Sequence, residues 1–388
     1  VESFAFSNCT NLSKISLSKK LTDLCHHAFE NCAKLTEITI PKSLESCSGG
    51  FEGPFYHSGL NKVNFEKGIT KIPQYLFSDA TALETITIPD TVTLIGGEAF
   101  SDCTNLMQVV MPNSVTKVES FAFSNCTNLS KISLSKNLTD LCHHAFENCV
   151  KLTEITIPKS LESCSGGFEG PFYHSGLNKV NFEEGITKIP QYLFSDATAL
   201  ETITIPDMVT LIGGEAFSDC SALKNVTIPD SVTSIDYEAF NKCTSLETIT
   251  IPDSVTEIGV KAFNGCKNLS SVTLSKGLVD VQWQAFGECT KLTSITIPKS
   301  LELCTNGHWG GAFYHSGLTS VKFEEGVKAI PDYLFADATA LETIVIPDTV
   351  TSIGGGAFSK CSALKNVTIP DSVTKIGSQA FNECISLK

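Results

Sequence analysis

The chain has 388 residues, with 28 lysines set against 42 acidic residues, and contains no arginine. A net charge of −14 without the guanidinium fork that grips phosphates and base edges argues against a nucleic-acid partner and against most phosphate or organic-acid chemistry. At 42% apolar residues the chain is expected to fold, and it holds no apolar run of about eighteen residues that could cross a bilayer.

A phenylalanine marks the period along the chain: Phe6, Phe29, Phe55, Phe77, Phe100, Phe123 and on to Phe381, seventeen in all. The spacing is 23 residues, broken only by three pairs of 26 or 27 followed by 22. One unit therefore consumes the whole chain, since 388/23 is about 16.9, and no room is left for a separate catalytic domain.

The unit 246–266 shows the elements in order. Leu246-x-x-Ile249-x-Ile251 places isoleucines inward and Thr248 and Thr250 outward, a strand pattern rich in β-branched residues. Pro252 lacks the ladder donor and ends the strand. Asp253 and Ser254 turn the chain, and Val255 and Ile258 re-enter the core as a second short strand. Gly259 permits a further corner. Ala262, Phe263 and Cys266, at i, i+1 and i+4, predict one short helical turn with a buried side. No coil can bury its apolar face alone, so the coils must stack into a single solenoid domain over 1–388, cut within the repeat at both ends. Parallel strands about 4.8 Å apart would give a rod or arc on the order of 75–80 Å long.

A longer repeat lies over the short one. Residues 1–103 match 118–220 at an offset of 117 with four differences, Lys20/Asn137, Ala33/Val150, Lys67/Glu184 and Thr91/Met208. A third, more diverged copy begins near Cys289. Most sites thus occur two or three times, which disfavours a unique active centre.

The unit Leu-x-x-Ile-x-Ile-Pro-x-Ser-Val-Thr-x-Ile-Gly-x-x-Ala-Phe-x-x-Cys, seen at 246–266 and, with Val226 for Ile and Asp236 for Gly, at 223–243 and, with Thr349 for Ser, at 341–361, resembles the BspA-like (Treponema-type) leucine-rich repeat. The resemblance covers essentially the whole chain. It implies a leucine-rich-repeat horseshoe with a parallel concave sheet, short second strands and one helical turn per coil. It further implies a cell-surface or secreted protein that attaches to host or extracellular-matrix proteins, with no catalytic motif and no cofactor.

Three coils depart from the pattern by insertions rich in Gly and Pro, which mark surface loops. They carry Phe51, Tyr56 and His57, then Phe168, Tyr173 and His174, then Trp309, Tyr314 and His315. These are the chain's most hot-spot-like residues. Two readings are open: the rings contact a partner, or they close a bulge by packing on their own coil. The outward strand positions, among them Thr85, Thr87, Thr202, Thr204, Thr248 and Thr250, form a second candidate surface on the concave face. They either bind an extended partner or serve sheet propensity and solubility alone.

Of 16 cysteines, 11 fall three residues after the marker phenylalanine. Ala80, Ala197 and Ala338 take the same place in other coils, which favours small buried thiols over disulfides. Neighbours about 4.8 Å apart also exceed the usual disulfide Cβ separation of about 3.8 Å. Cys25-His26-His27 with Cys32, repeated at Cys142-His143-His144 with Cys149, resembles a scrap of a zinc site but fits no standard spacing. No metal ligand set is assigned. No Ser/His/Asp arrangement converges, and Gly96-Gly97 and Gly213-Gly214 lack a phosphate-loop lysine. Eight Asn-x-Ser/Thr sequons occur, several beside core leucines, where chance accounts for them. The sequence reading is a non-catalytic surface or secreted repeat protein whose function is adhesion. The alternative is a spacer or antigenic stalk that displays another region. Signal and anchor are expected outside this stretch.

Overall fold

The architecture is that of a computed structural model, which describes residues 1–388 apart from the side chain of His308. Most coils begin with a short strand. Thr248–Thr250 alternates exposed, buried, exposed, and it pairs in parallel with Ser271–Thr273 one coil on, Ile249 lying opposite Val272. Pro252 closes the strand as its chemistry requires. Its carbonyl accepts from the Val255 N–H at 3.0 Å, and Ser254 Oγ donates to the Val232 carbonyl at 2.6 Å, pinning the turn to the preceding coil. The second strand, Glu257–Ile258, pairs in parallel on both sides, with Ser234–Ile235 and with Asp280–Val281.

Contacts group the chain into two compact units. One comprises Val1–Ile186 with Tyr192–Ala199, the other Thr187–Gln191 with Leu200–Lys388. In the first, the second strands Lys71–Ile72, Leu94–Ile95, Lys117–Val118 and Asp140–Leu141 form one parallel sheet in that order. In the second, Lys188–Ile189, Leu211–Ile212, Ser234–Ile235, Glu257–Ile258 and Asp280–Val281 do the same. Strand order that follows coil order is the signature of a parallel β-solenoid.

The expected helical turn does not form. The sole helix among the described residues is the 3-10 turn Gly307–Trp309, within an insertion. Around Phe100 the N–H groups alternate in direction instead. Ala99, Ser101 and Cys103 donate three residues back, to Gly96, Glu98 and Phe100. Glu98, Phe100 and Asp102 donate into the next coil, to Ser120, Ala122 and Ser124, at 2.8–3.1 Å. An α-helix would turn every N–H back along its own chain and forfeit the bonds between coils. The alternation requires left-handed backbone two residues either side of the marker: Glu98 and Asp102 have φ 53° and 56°, Phe121 and Asn125 59° and 56°. The third side of each coil is therefore a ladder of turns.

The core is a stack of columns. Phe100, Phe123 and Phe146 are fully buried, with ring centroids 5.0 and 5.4 Å apart and planes within 8° of parallel. In the second unit Phe240, Phe263 and Phe286 repeat this at 5.2 and 5.3 Å. Each such contact is worth roughly 0.5–1.5 kcal/mol beyond burial. The cysteine column lies beside the rings, and its thiols donate to the phenylalanine carbonyl of the preceding coil: Cys126 to Phe100, Cys149 to Phe123 and Cys266 to Phe240, each at 3.2 Å. All 16 cysteines are free.

The insertions are closed by a glycine. At Gly59 a Cβ would stand 2.2 Å from the Ala33 carbonyl oxygen, and at Gly176 2.2 Å from that of Val150. The shortened path from Phe55 to Leu60 runs directly against the previous coil, and only glycine fits there.

Candidate interaction surfaces

The aromatic residues of the insertions divide into two kinds. Phe51, Phe168 and Trp309 are 77%, 75% and 70% exposed. Tyr56 and Tyr173 are half-buried. Tyr56 packs between His27, at 4.8 Å, and His57, at 4.1 Å; Tyr173 does the same with His144 and His174, at 4.7 and 4.0 Å. In the third insertion Tyr314 stacks on His315 at 3.9 Å. His57, His174 and His315 are exposed and occupy the left-handed position after the marker, with φ 47–49°.

His27 joins the first insertion to the preceding coil. Its ring is stacked on Phe4 at 4.9 Å. Its Nδ1 lies 3.4 Å from Glu30 and its Nε2 3.6 Å from Glu52, which belongs to the insertion. His144 repeats the arrangement with Glu147 at 3.1 Å and Glu169 at 3.5 Å. Sequence inspection isolated these histidines as zinc ligands to be weighed and missed their pairing with the loop carboxylates. The signal was there in the 25-residue offset from His27 to Glu52, repeated at His144 and Glu169.

The Cys25-His26-His27/Cys32 cluster points in four directions. Cys25 Sγ lies 3.3 Å from Asp23 and from Ser48, His26 Nδ1 is 2.9 Å from Ser3 Oγ, His27 faces the glutamates, and Cys32 donates to the Phe6 carbonyl at 3.2 Å. Among the described residues no group of three or more His, Cys, Asp or Glu side chains could hold a metal ion. A second Ser–His contact joins Ser120 Oγ to His143 Nδ1 at 2.8 Å. Burial, then His144, holds His143 below the usual imidazole range. Gly166 lies so close that a Cβ there would be 2.5 Å from Nδ1. No carboxylate is hydrogen-bonded to His143 among the described residues, so the third member of a hydrolytic triad has no counterpart here.

On the first-strand face, Thr85, Thr87, Thr202, Thr204, Thr248 and Thr250 are all exposed. Among the described residues their hydroxyls make no hydrogen bond within the chain. The threonines between the strands behave differently: Thr116, Thr139 and Thr233 donate to carbonyls of the preceding coil at 3.1–3.3 Å. The face also exposes Val110 at 62% and Val345 at 79%, where the periodic pattern elsewhere places threonine.

The sequence pattern described as the BspA type leucine rich repeat region, in six copies, matches residues 1–106, 51–168, 187–307 and 257–388. The chain is a BspA-type leucine-rich repeat protein. Among solved structures, a leucine-rich repeat protein from Bacteroides ovatus shares 24% identity over 95% of this chain and 87% of that one, with a TM-score of 0.63, and so has the same fold. A leucine rich cell surface protein from Faecalibacterium prausnitzii shares 28% identity over 82% of each chain, at a TM-score of 0.37. The leucine rich repeat protein of T. pallidum shares 28% over 48% of this chain and 78% of that one, at 0.34. No curated protein matches. No helix of this leucine-rich repeat protein is long and apolar enough to cross a membrane.

Proposed function

We propose that the chain is a non-catalytic adhesin, exposed at the cell surface or secreted, that binds a host or extracellular-matrix protein. The observation that carries this reading is the display of Phe51, Phe168 and Trp309, three large rings at 70–77% exposure on insertions that the repeat does not need for its core. Large aromatic rings held on a rigid scaffold are typical binding anchors, while a repeat built only as a spacer has no use for them. The first-strand threonines, with hydroxyls left free, offer a second contact surface of neutral character. Membership of a leucine-rich repeat family supports protein binding in general.

The test is immobilised binding to a panel of matrix and host-cell proteins. At least one should bind with micromolar or tighter affinity and lose about tenfold when Phe51, Phe168 and Trp309 are replaced by alanine. No binding across the panel would leave the spacer reading in its place, and binding that survives all three changes would remove the exposed rings as its anchors.

A further inference from the structure

The corner of the first unit beside the first insertion combines exposed aromatic surface with carboxylates that no lysine pairs: Asp79 accepts from Ser78 and feels the His57 ring, and Asp102 accepts from Ser101 and Asn125. Phe51 stands edge-on to Tyr75, with ring centroids 6.2 Å apart. Tyr75 hydrogen-bonds Glu98 through its hydroxyl. Asp79 and Asp102 follow one another at the same left-handed position of successive coils, φ 58° and 56°. Burial first, then Asp102, pushes the Asp79 carboxyl up; burial does the same to Glu98. Among the described residues no lysine lies within ion-pair distance of Asp79, Glu98 or Asp102.

The second unit treats the same positions differently. There the next coil sets a lysine against three of the acids, Lys242 lying 3.4 Å from Asp219, Lys261 3.6 Å from Glu238 and Lys360 3.8 Å from Asp337, whereas one coil on from Glu215 stands Glu238. One coil on from Asp79, Glu98 and Asp102 stand Asp102, Phe121 and Asn125 instead. Lys261 also shows how a cation sits on such a corner. Its ammonium is 5.0 Å from the centre of the Trp283 ring while it faces Glu238. In the first unit the ring and the carboxylates are present and the lysine is not.

We infer that the surface formed by Phe51, Tyr75, Asp79, Glu98 and Asp102 docks a lysine- or arginine-rich segment of a partner protein. The partner's cations lie over the exposed ring and against the carboxylates, as Lys261 does within the chain. The inference rests on the binding reading above and names the chemistry of the partner's contact. The second insertion repeats the aromatic pair, Phe168 against Tyr192 at 6.4 Å.

The probe is a fluorescent oligolysine peptide, with oligoglutamate as its counterpart, titrated with the whole chain at low and high salt. Wild type should bind oligolysine in a salt-sensitive manner and ignore oligoglutamate. Phe51→Ala with Phe168→Ala should weaken binding about fivefold, and Asp79→Asn with Asp102→Asn about tenfold. The folds are safe: Phe51 and Phe168 are exposed, and asparagine occupies the aspartate position at Asn125 and Asn148 with φ 56° and 53°. A melting curve verifies this for each variant. The inference is overturned if both variants bind oligolysine like wild type, or if Glu37→Gln with Glu154→Gln, on the first-strand face, weakens binding as much as the corner changes. If the alanine changes abolish binding to a panel protein while oligolysine goes unbound, the adhesin reading stands and the cationic partner falls.

Discussion

Replacing Phe123 by alanine removes one ring from the stack that runs through the first unit. Its ring is fully buried, held between Phe100 at 5.0 Å and Phe146 at 5.4 Å. Emptying such a site costs about 3–5 kcal/mol, with the amount set by how far the surroundings collapse into the space. Collapse is obstructed here. The Phe100 N–H bonds the Ala122 carbonyl and the Phe123 N–H that of Ala145, each at 2.8 Å, so the backbone ladder holds the coils apart whatever the side chain. The expected cost is therefore near the top of the range, ~5 kcal/mol. Phe123→Leu, which refills most of the volume, should cost about 1.5 kcal/mol. Urea unfolding followed by circular dichroism measures both. Because each coil's stability depends on its neighbours, the alanine variant should also split the transition in two. A Phe123→Ala variant within ~1 kcal/mol of wild type would refute the stacked-column account.

Three further outcomes follow from the same geometry. Ellman titration of the native protein should find Cys9, the exposed thiol, reacting fast and the buried column silent, while denaturant should release all 16; a smaller number after unfolding without reductant would reveal disulfides. Stability should fall at alkaline pH. Burial pushes Cys266 and Cys304 up to about 12, whereas an unfolded thiol titrates near ~8.5. Their contribution is whole below that lower value and is lost as pH rises, by about 1.4 kcal/mol per pH unit for each thiol. Cys266→Ser should make the slope shallower by that amount in urea titrations across this range, and an unchanged slope would count against it. Gly59→Ala drives a Cβ into the Ala33 carbonyl oxygen and should cost about 3 kcal/mol by thermal melting, whereas alanine at Gly68, whose Cβ would meet nothing within 4 Å, should cost far less despite its positive φ.

The repeat was legible because its apolar spacing is a direct physical signal: Leu246, Ile249, Ile251, Val255 and Ile258 each point inward, and all are buried. Pro252 ended its strand for the reason its chemistry supplies. The turn ladder was not legible. Ala262, Phe263 and Cys266 have the spacing of a helical face, and what decides against a helix is the carbonyl of the next coil, a partner 22 residues away for Phe263 at Ala285. Residues such as Glu98 and Phe121 in left-handed backbone carry no local sequence mark, because the strain is compensated by those intercoil bonds. On the surfaces, the sequence singled out the inserted rings but did not separate Phe51, which faces solvent, from Tyr56, which packs on His27 and His57. Both are aromatic residues on one loop, and only the fold of the neighbouring coil distinguishes them. The lysine-free corner of Asp79, Glu98 and Asp102 was also missed, since individually these are ordinary surface acids. It emerges only when the 23-residue register sets them against Asp219, Glu238 and Asp337.

The most direct measurement of the central claim is the affinity of the intact chain for a matrix or host-cell protein, compared with the variant in which Phe51, Phe168 and Trp309 are all alanine. The account expects micromolar or tighter binding by the parent chain and a loss of about tenfold in the variant, with the melting curve unchanged. Equal affinity for the two proteins, or no binding by either across the panel, would contradict it.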